Sequence, residues 1–324
     1  MTRILAYRFS AFGDVAMCVP VFREILEQNP DLEIVMVTKN FFRDMFEGIP
    51  RLTFKGINLK EYSGFFKLRK LAHELTEEYQ PDYVTDLHDV IRTKILDKVL
   101  KFNQYKVFVI DKGKSEKEHL TDIWNLDKKQ LKRTVERYAD VFRNIGMEVQ
   151  LSHQLRPSAE KKEGVGFAPF AQHAGKVLPV EKSFEVARLI SRHKKIYFFG
   201  GGKEEVEMLQ KWAEELPNTV SLAGKQLSLR EELERISRLE LMISMDSANM
   251  HLASLAGTRC ISVWGATHHF AGFLGYGQRE EDIVQVKDLT CRPCSVFGDK
   301  ECFRGDWACL HELEVQQIIE RVLK

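Results

Sequence analysis

The sequence predicts an α/β protein made of two doubly wound halves, and three observations carry that expectation. Short apolar runs alternate with segments whose apolar residues recur three and four positions apart, the pattern of parallel strands joined by amphipathic helices. The chain, at 324 residues, is longer than one hydrophobic core usually serves. A polar stretch, "RPSAEKKEG" (156–164), interrupts the alternation near its middle. Together these place one domain at residues 1–160 and a second at 161–324, each a sheet with helices on both faces, with a cleft between them.

Taken in order, "RILAYRF" (3–9), "LEIVMVT" (32–38), "DYVTDLH" (82–88) and "YKVFVID" (105–111) are short, apolar and rich in β-branched residues, and read as strands. Between and after them, "VPVFREILEQN" (19–29), "FFKLRKLAHELTEEY" (65–79) and "KRTVERYADVFRNIG" (132–146) carry helical spacing. In the second half "GVGFAPF", "KIYFFGG", "LMISMD" and "RCISVWG" read as strands, and "FEVARLISRH", "EEVEMLQKWAEEL", "SLREELERIS" and "NMHLASLAG" as the helices among them. Ligands of such folds bind at the carboxyl ends of the strands. Two aspartates fall there. Asp14 lies in "RFSAFGDVAM" after the first strand, in a loop with Ser10 and Gly13, and Asp246 follows "LMIS" in the second half. Asp14 also suits a helix cap, since a carboxylate there accepts free N–H groups and complements the helix dipole.

Composition narrows the function classes. Hydrophobic residues at 44% and charged residues at 29% are those of a globular enzyme, and 48 Lys plus Arg against 47 Asp plus Glu leave a net charge of +1. No global field draws this chain to nucleic acid. No apolar stretch approaches the ~20 residues of a membrane span, and "MTRILAYRFS" is too short for a secretory signal, so a cytoplasmic protein is expected. "FFGGGKEE" (198–205) lacks the spacing of a P-loop, and no G-x-G-x-x-G follows the first strand. Cys18 and Cys260 sit in apolar surroundings. Cys291, Cys294, Cys302 and Cys309 have spacings usable by a tetrahedral zinc site, and equally fit a folded knot of thiols.

"MDSANMHLASLAGTRCISVWGAT" (245–267) is the most specific stretch. Asp246 and Ser247 open a helix whose first turn carries free N–H groups, and the short side chains of Ala248 and Asn249 keep that backbone approachable, a ready site for a pyrophosphate. His251, one turn in, is either a donor toward phosphate or a polar helix-face histidine. With "RFSAFGDV" and "GKVLPVEKSFEVA", the chain resembles glycosyltransferase family 9, the ADP-heptose:lipopolysaccharide heptosyltransferases. It shows, in that family's order, Ser-x-x-Gly-Asp, Lys-x-x-Pro, Asp-Ser-x-x-x-His and Cys-x-Pro-Cys.

The resemblance implies a GT-B fold of two Rossmann-like domains, with the acceptor on the N-terminal and the donor on the C-terminal one. Asp14 matches the family's catalytic base and Lys176 the residue that neutralises the donor's phosphates. Asp246, Ser247, Ala248 and Asn249 match the loop that holds heptose and pyrophosphate, with His251 beside it. Leu227 matches a position that packs on adenine, and Glu204 or Glu205 falls near the ribose. Arg8, Ser10, Gly13 and Arg92 stand toward an anionic acceptor, Arg92 ahead of Lys94. Two features depart from the family: it often has Gly at Ala248 or Asn249, and "FAPFAQHAG" lacks paired hydroxyl residues before Lys176. The implied reaction is inverting heptose transfer from ADP-heptose to a lipid-anchored lipopolysaccharide core. It uses neither cofactor nor metal and takes place in the cytoplasm, peripherally on the inner face of the inner membrane. Alternatives are a transferase for another nucleotide sugar, a non-catalytic nucleotide-sugar binder, and a zinc-dependent nucleic-acid module.

Overall fold

Strands buried on both faces need no polar alternation, and the near-continuous apolar runs of this chain accordingly form two all-parallel sheets. The computed structural model describes all 324 residues, divided into one unit of residues 1–112 and 134–152 and another of residues 113–133 and 153–324. The stretch 156–164 lies within the second unit.

The first unit contains β1 (Thr2–Tyr7), α1 (Phe12–Gln28), β2 (Leu32–Lys39), β3 (Leu52–Ile57), α2 (Phe65–Tyr79), β4 (Tyr83–Asp86), α3 (Ile91–Phe102) and β5 (Val107–Val109). Residues 113–133, with α4 (Lys114–Leu120), belong to the second unit, and the chain re-enters the first with α5 (Thr134–Arg143). Strand order is β3-β2-β1-β4-β5. Leu5 and Tyr7 pack with Leu68, Leu71 and Leu75 of α2 and Leu96 of α3. On the opposite face α1 packs against α5, with Phe22 and Phe142 edge to face at 5.8 Å.

α1 starts at Phe12, seven residues before the helix expected from the sequence. Pro20, which resembles a helix start, sits inside it. The buried positions Val15, Cys18, Val19, Phe22, Ile25 and Leu26 continue one apolar stripe across the proline, and that packing outweighs the hydrogen bond Pro20 cannot donate. Asp14 is therefore in the first turn of a helix.

The second unit runs β6 (Val165–Ala168), α6 (Val180–Ile190), β7 (Ile196–Phe198), α7 (Lys203–Glu215), β8 (Thr219–Ser221), α8 (Leu229–Ser237), β9 (Leu241–Met245), α9 (Ala248–Leu255), β10 (Cys260–Val263), β11 (Ile283–Val284), α10 (Ala308–His311) and α11 (Val315–Leu323). Its sheet order is β11-β10-β9-β6-β7-β8. Phe167, Phe198 and Trp212 centre the core under α6, α7 and α11. Residues 113–133 are tied to this unit by Leu131, whose N–H donates to the Phe270 carbonyl (2.8 Å), and by the Arg133–Glu280 ion pair (3.1 Å).

Both sheets reverse direction of winding between two neighbouring strands, β1 and β4 in the first and β6 and β9 in the second. Loops leaving those strands part to opposite faces and open a crevice at the carboxyl edge.

Gly257 closes α9 with φ +70°, and a Cβ there would stand 2.0 Å from the Arg156 carbonyl oxygen. Gly257→Ala should lower unfolding free energy by more than about 1–2 kcal/mol, the cost of left-handed backbone alone, because the clash adds to it. Denaturant melts check this; an unchanged midpoint would contradict the placement.

Candidate active site

At the first switch point β1 delivers Arg8 and Ser10, and β4 delivers His88. Arg8 is buried, 6% exposed. Its Nη2 lies 2.7 Å from Asp14 Oδ2, Nη1 donates to the Leu87 carbonyl, and the guanidinium lies 5.5 Å from the centroid of the Tyr138 ring. Asp14 Oδ2 also accepts the Ala11 N–H at 3.3 Å, the reciprocal half of a capping box. Asp14 is thus a cap and an ion-pair partner at once. Both interactions fall on Oδ2 and leave Oδ1 unengaged on a side chain 23% exposed.

His88 Nδ1 accepts the Phe9 N–H at 3.4 Å, so the ring proton belongs on Nε2, which is 3.3 Å from Ser10 Oγ. Burial, reinforced by the charges of Arg8 and Lys112, lowers the His88 pKa to about 4 and keeps the ring neutral at pH 7. Beneath it, Asp86 Oδ1 accepts the N–H groups of His88 (2.7 Å) and Asp89 (2.9 Å), fixing the turn. Burial and the Asp86 charge raise Asp97 to about 7 against the Tyr7 hydroxyl it accepts. Gly13 lies in the first turn of α1 between these groups. Arg92 is partly exposed on the first turn of α3.

At the second switch point Lys176 ends a 3-10 turn (Ala174–Lys176) after β6, and Asp246 follows β9. Lys176 Nζ lies 2.9 Å from Asp246 Oδ2, which also accepts the Thr267 hydroxyl at 2.8 Å. Both side chains are largely buried, 15% and 6% exposed. Ser247 is the N-cap of α9, but its hydroxyl pairs with Ser244 Oγ (3.1 Å) and leaves the first-turn N–H groups uncapped by a side chain. Ala248 and Asn249 form that turn, partly exposed, and His251 is buried behind it.

The cysteine-rich tail braces this turn. Arg292, 5% exposed, donates to the carbonyls of Gly265 (2.8 Å), Thr267 (2.8 Å), Val286 (2.8 Å) and Trp264 (3.2 Å). Gly298, at φ +76°, lies against Lys176, and a Cβ there would be 2.7 Å from Lys176 Cγ. Cys291, Cys294, Cys302 and Cys309 line one small enclosed space with Arg292 and Trp307. All are free thiols, burial pushes Cys309 up to about 12, and no three metal-ligating side chains are spaced to hold an ion.

Leu227 lines a pocket of about 290 Å³ at the ends of β7 and β8, with Phe199, Gly200, Gly224 and Glu232. Burial raises the Glu232 pKa. Glu205 is engaged elsewhere. Its Oε2 accepts the N–H groups of Gly201 (2.9 Å) and Gly202 (3.4 Å) and caps α7. Glu204 lines a larger cavity of about 740 Å³ between α6 and α7, whose rim is glutamate-rich and which includes neither Lys176, Asp246 nor Leu227.

The structure therefore gathers Arg8, Ser10, Gly13 and Asp14 at one switch point and Lys176 with 246–249 at the other. Sequence reasoning missed His88, Thr267, Arg292 and Glu232. His88 and Thr267 stood inside stretches already singled out, whereas Arg292 was hidden between two cysteines.

Comparison with known proteins agrees. The family model "Glycosyltransferase family 9 (heptosyltransferase)" matches residues 68–302, and the chain belongs to that family. It is a glycosyltransferase of GT-B fold. It is 23% identical to lipooligosaccharide heptosyltransferase 2 of Campylobacter jejuni, over 95% of this chain and 93% of that protein. Among solved structures, a family 9 glycosyltransferase of Veillonella parvula superposes with a TM-score of 0.72 at 17% identity, covering 99% of this chain and 96% of that one. E. coli heptosyltransferase WaaC with ADP-2-deoxy-2-fluoro heptose gives 0.68 at 17% identity, covering 99% and 100%.

The histidines yield a pH prediction. Burial lowers His88 and His269 to about 4 and His268 to about 3. The unfolded chain takes up these protons near pH 6.5, so the stability tied to the neutral rings is whole above 6.5 and lost as pH falls toward 4 and 3. Asp97, raised to about 7, runs oppositely and loses its contribution as pH rises through 7. NMR titration should find His88 neutral at pH 5.5; a midpoint near 6.5 would contradict its burial.

Proposed function

We propose that this chain transfers heptose from ADP-heptose, with inversion, to an inner-core sugar of a lipid-anchored lipopolysaccharide acceptor, at the cytoplasmic surface of the membrane. The observation that carries the reading is a carboxylate paired with a cation at each switch point, Arg8–Asp14 and Lys176–Asp246. The names of the relatives support the sugar: a lipooligosaccharide heptosyltransferase in one, an ADP-heptose analogue bound to another. No helix of the chain is long and apolar enough to cross a membrane, which fits an enzyme that meets its acceptor from the side.

In this reading the second unit takes the donor. Leu227 packs on the adenine, Glu232 in the same pocket stands toward the ribose, and the diphosphate meets the α9 N-terminus across Ser247, Ala248 and Asn249. Lys176, fixed by Asp246 through one of its three N–H donors, turns the others to the diphosphate as negative charge develops on departing ADP. The first unit takes the acceptor. Asp14 Oδ1 removes the proton of the attacking hydroxyl while Arg8 and the Ala11 N–H hold Oδ2, so the carboxylate needs no reorientation as the bond forms. Ser10, oriented by His88, and Arg92 position the acceptor's polar and anionic groups.

Asp14→Asn tests the role of the carboxylate, because asparagine caps a helix about as well as aspartate but accepts no proton. The variant should melt near the parent, bind ADP equally and turn over about 10²–10⁴-fold more slowly at saturating substrates. Turnover within a few-fold of the parent would return Asp14 to a purely capping role.

A further inference from the structure

An unusual charge order marks the first unit. Helices favour acids in the first turn and bases in the last. α2 reverses this: Lys67, Arg69 and Lys70 are exposed near its start, with no acid in its first turn, while Glu74, Glu77 and Glu78 fall in its second half. α3 also opens without an acid, on Ile91, Arg92 and Lys94. These placements forgo helix stabilisation of a few tenths of a kcal/mol each.

The same two helix starts expose large apolar side chains. Phe65 is 53% exposed, Phe66 81% and Ile91 81%, and the two phenyl rings lie 5.7 Å apart, edge to face. α2 and α3 pack side by side as crossover helices, so both starts open at the carboxyl edge of the sheet, the edge that carries Arg8 and Asp14. Phe41, also exposed, lies 5.8 Å from Phe12, two residues from Asp14.

Aromatic rings at an exposed rim beside the cations Lys67, Arg69 and Arg92, with Lys70 and Lys94 paired to Glu74 (3.5 Å) and Asp89 (3.2 Å), match the interface of an anionic bilayer: apolar groups enter at headgroup depth and ammonium and guanidinium groups meet lipid phosphates. We propose that the starts of α2 and α3 dock the first unit on an anionic lipid surface and so bring Asp14 to an acceptor anchored in it. The proposal rests on the lipid-anchored acceptor proposed above. The charge complementarity favours lipid over a second copy of this chain, whose net charge is only +1.

The test uses the whole protein with phosphatidylcholine vesicles, with and without phosphatidylglycerol, and no acceptor lipid present. The parent should co-sediment with the anionic vesicles and not with pure phosphatidylcholine, and raised salt should release it. Phe65→Ser/Phe66→Ser and Lys67→Glu/Arg69→Glu should each weaken vesicle binding at least about tenfold and leave transfer to a delipidated core oligosaccharide unchanged. Equal binding by parent and variants would overturn the proposal. So would a change of oligomeric state in the variants, which would assign the surface to a second copy. Because binding is read without acceptor and transfer without lipid, failure of the heptose-transfer reading appears only in the second assay.

Discussion

The buried ion pair between Lys176 and Asp246 is the interaction on which the second unit's site depends. Its partners come from loops far apart in sequence, after β6 and after β9, and meet only because those strands are neighbours at the switch point. A lone charge at either place would be costly, since a buried ion recovers its lost hydration only through a well-placed counter-ion and further hydrogen bonds. Thr267 supplies one such bond to Asp246. The tail supplies the rest indirectly: Arg292 fixes residues 264–267 by their carbonyls, Ala266 N–H donates to Gly175 (2.8 Å), and Gly298 closes over the Lys176 stem. The C-terminal cysteine-rich segment is thus part of the site's frame.

The first unit uses the same device with a different outcome. Arg8 is more buried than Asp14, and the Asp14 carboxylate, held like that of Asp246 through one oxygen, is the more exposed of the two. Asp246 is enclosed and oriented by a hydroxyl and an ammonium, which suits a holding role. Asp14, with Oδ1 unengaged and its side chain 23% exposed, suits proton transfer. Two aspartates at equivalent strand ends, each with one ion pair and one hydrogen bond on Oδ2, differ in burial, 23% against 6% exposed, a property invisible in their identity.

Most strands were legible because those buried on both faces are continuous apolar runs, whereas β3, only partly buried, was not; Asp14 and Asp246 stood out because strand ends are where such folds bind. Other features needed tertiary structure. β8 and β11, three and two residues long, carry too little pattern to register. Pro20 concealed the true start of α1, whose first turns are fixed by packing against α5 rather than by local propensity. Glu205 read as a ligand group because a carboxylate after a glycine run fits either a ribose or a cap, and the Gly201 and Gly202 N–H groups claim it. Arg292 could not be found, because its partners are backbone carbonyls that no side-chain motif records.

A double-mutant cycle on Lys176→Met and Asp246→Asn, read by denaturant unfolding, tests most directly whether this pair organises the donor side. Each single change leaves a buried charged or polar partner unmatched, and removing one member of a buried pair typically costs about 3–5 kcal/mol. The double variant should be destabilised by less than the sum of the single variants, by at least about 1 kcal/mol. Strictly additive losses would show that Lys176 and Asp246 act separately and would contradict their coupling.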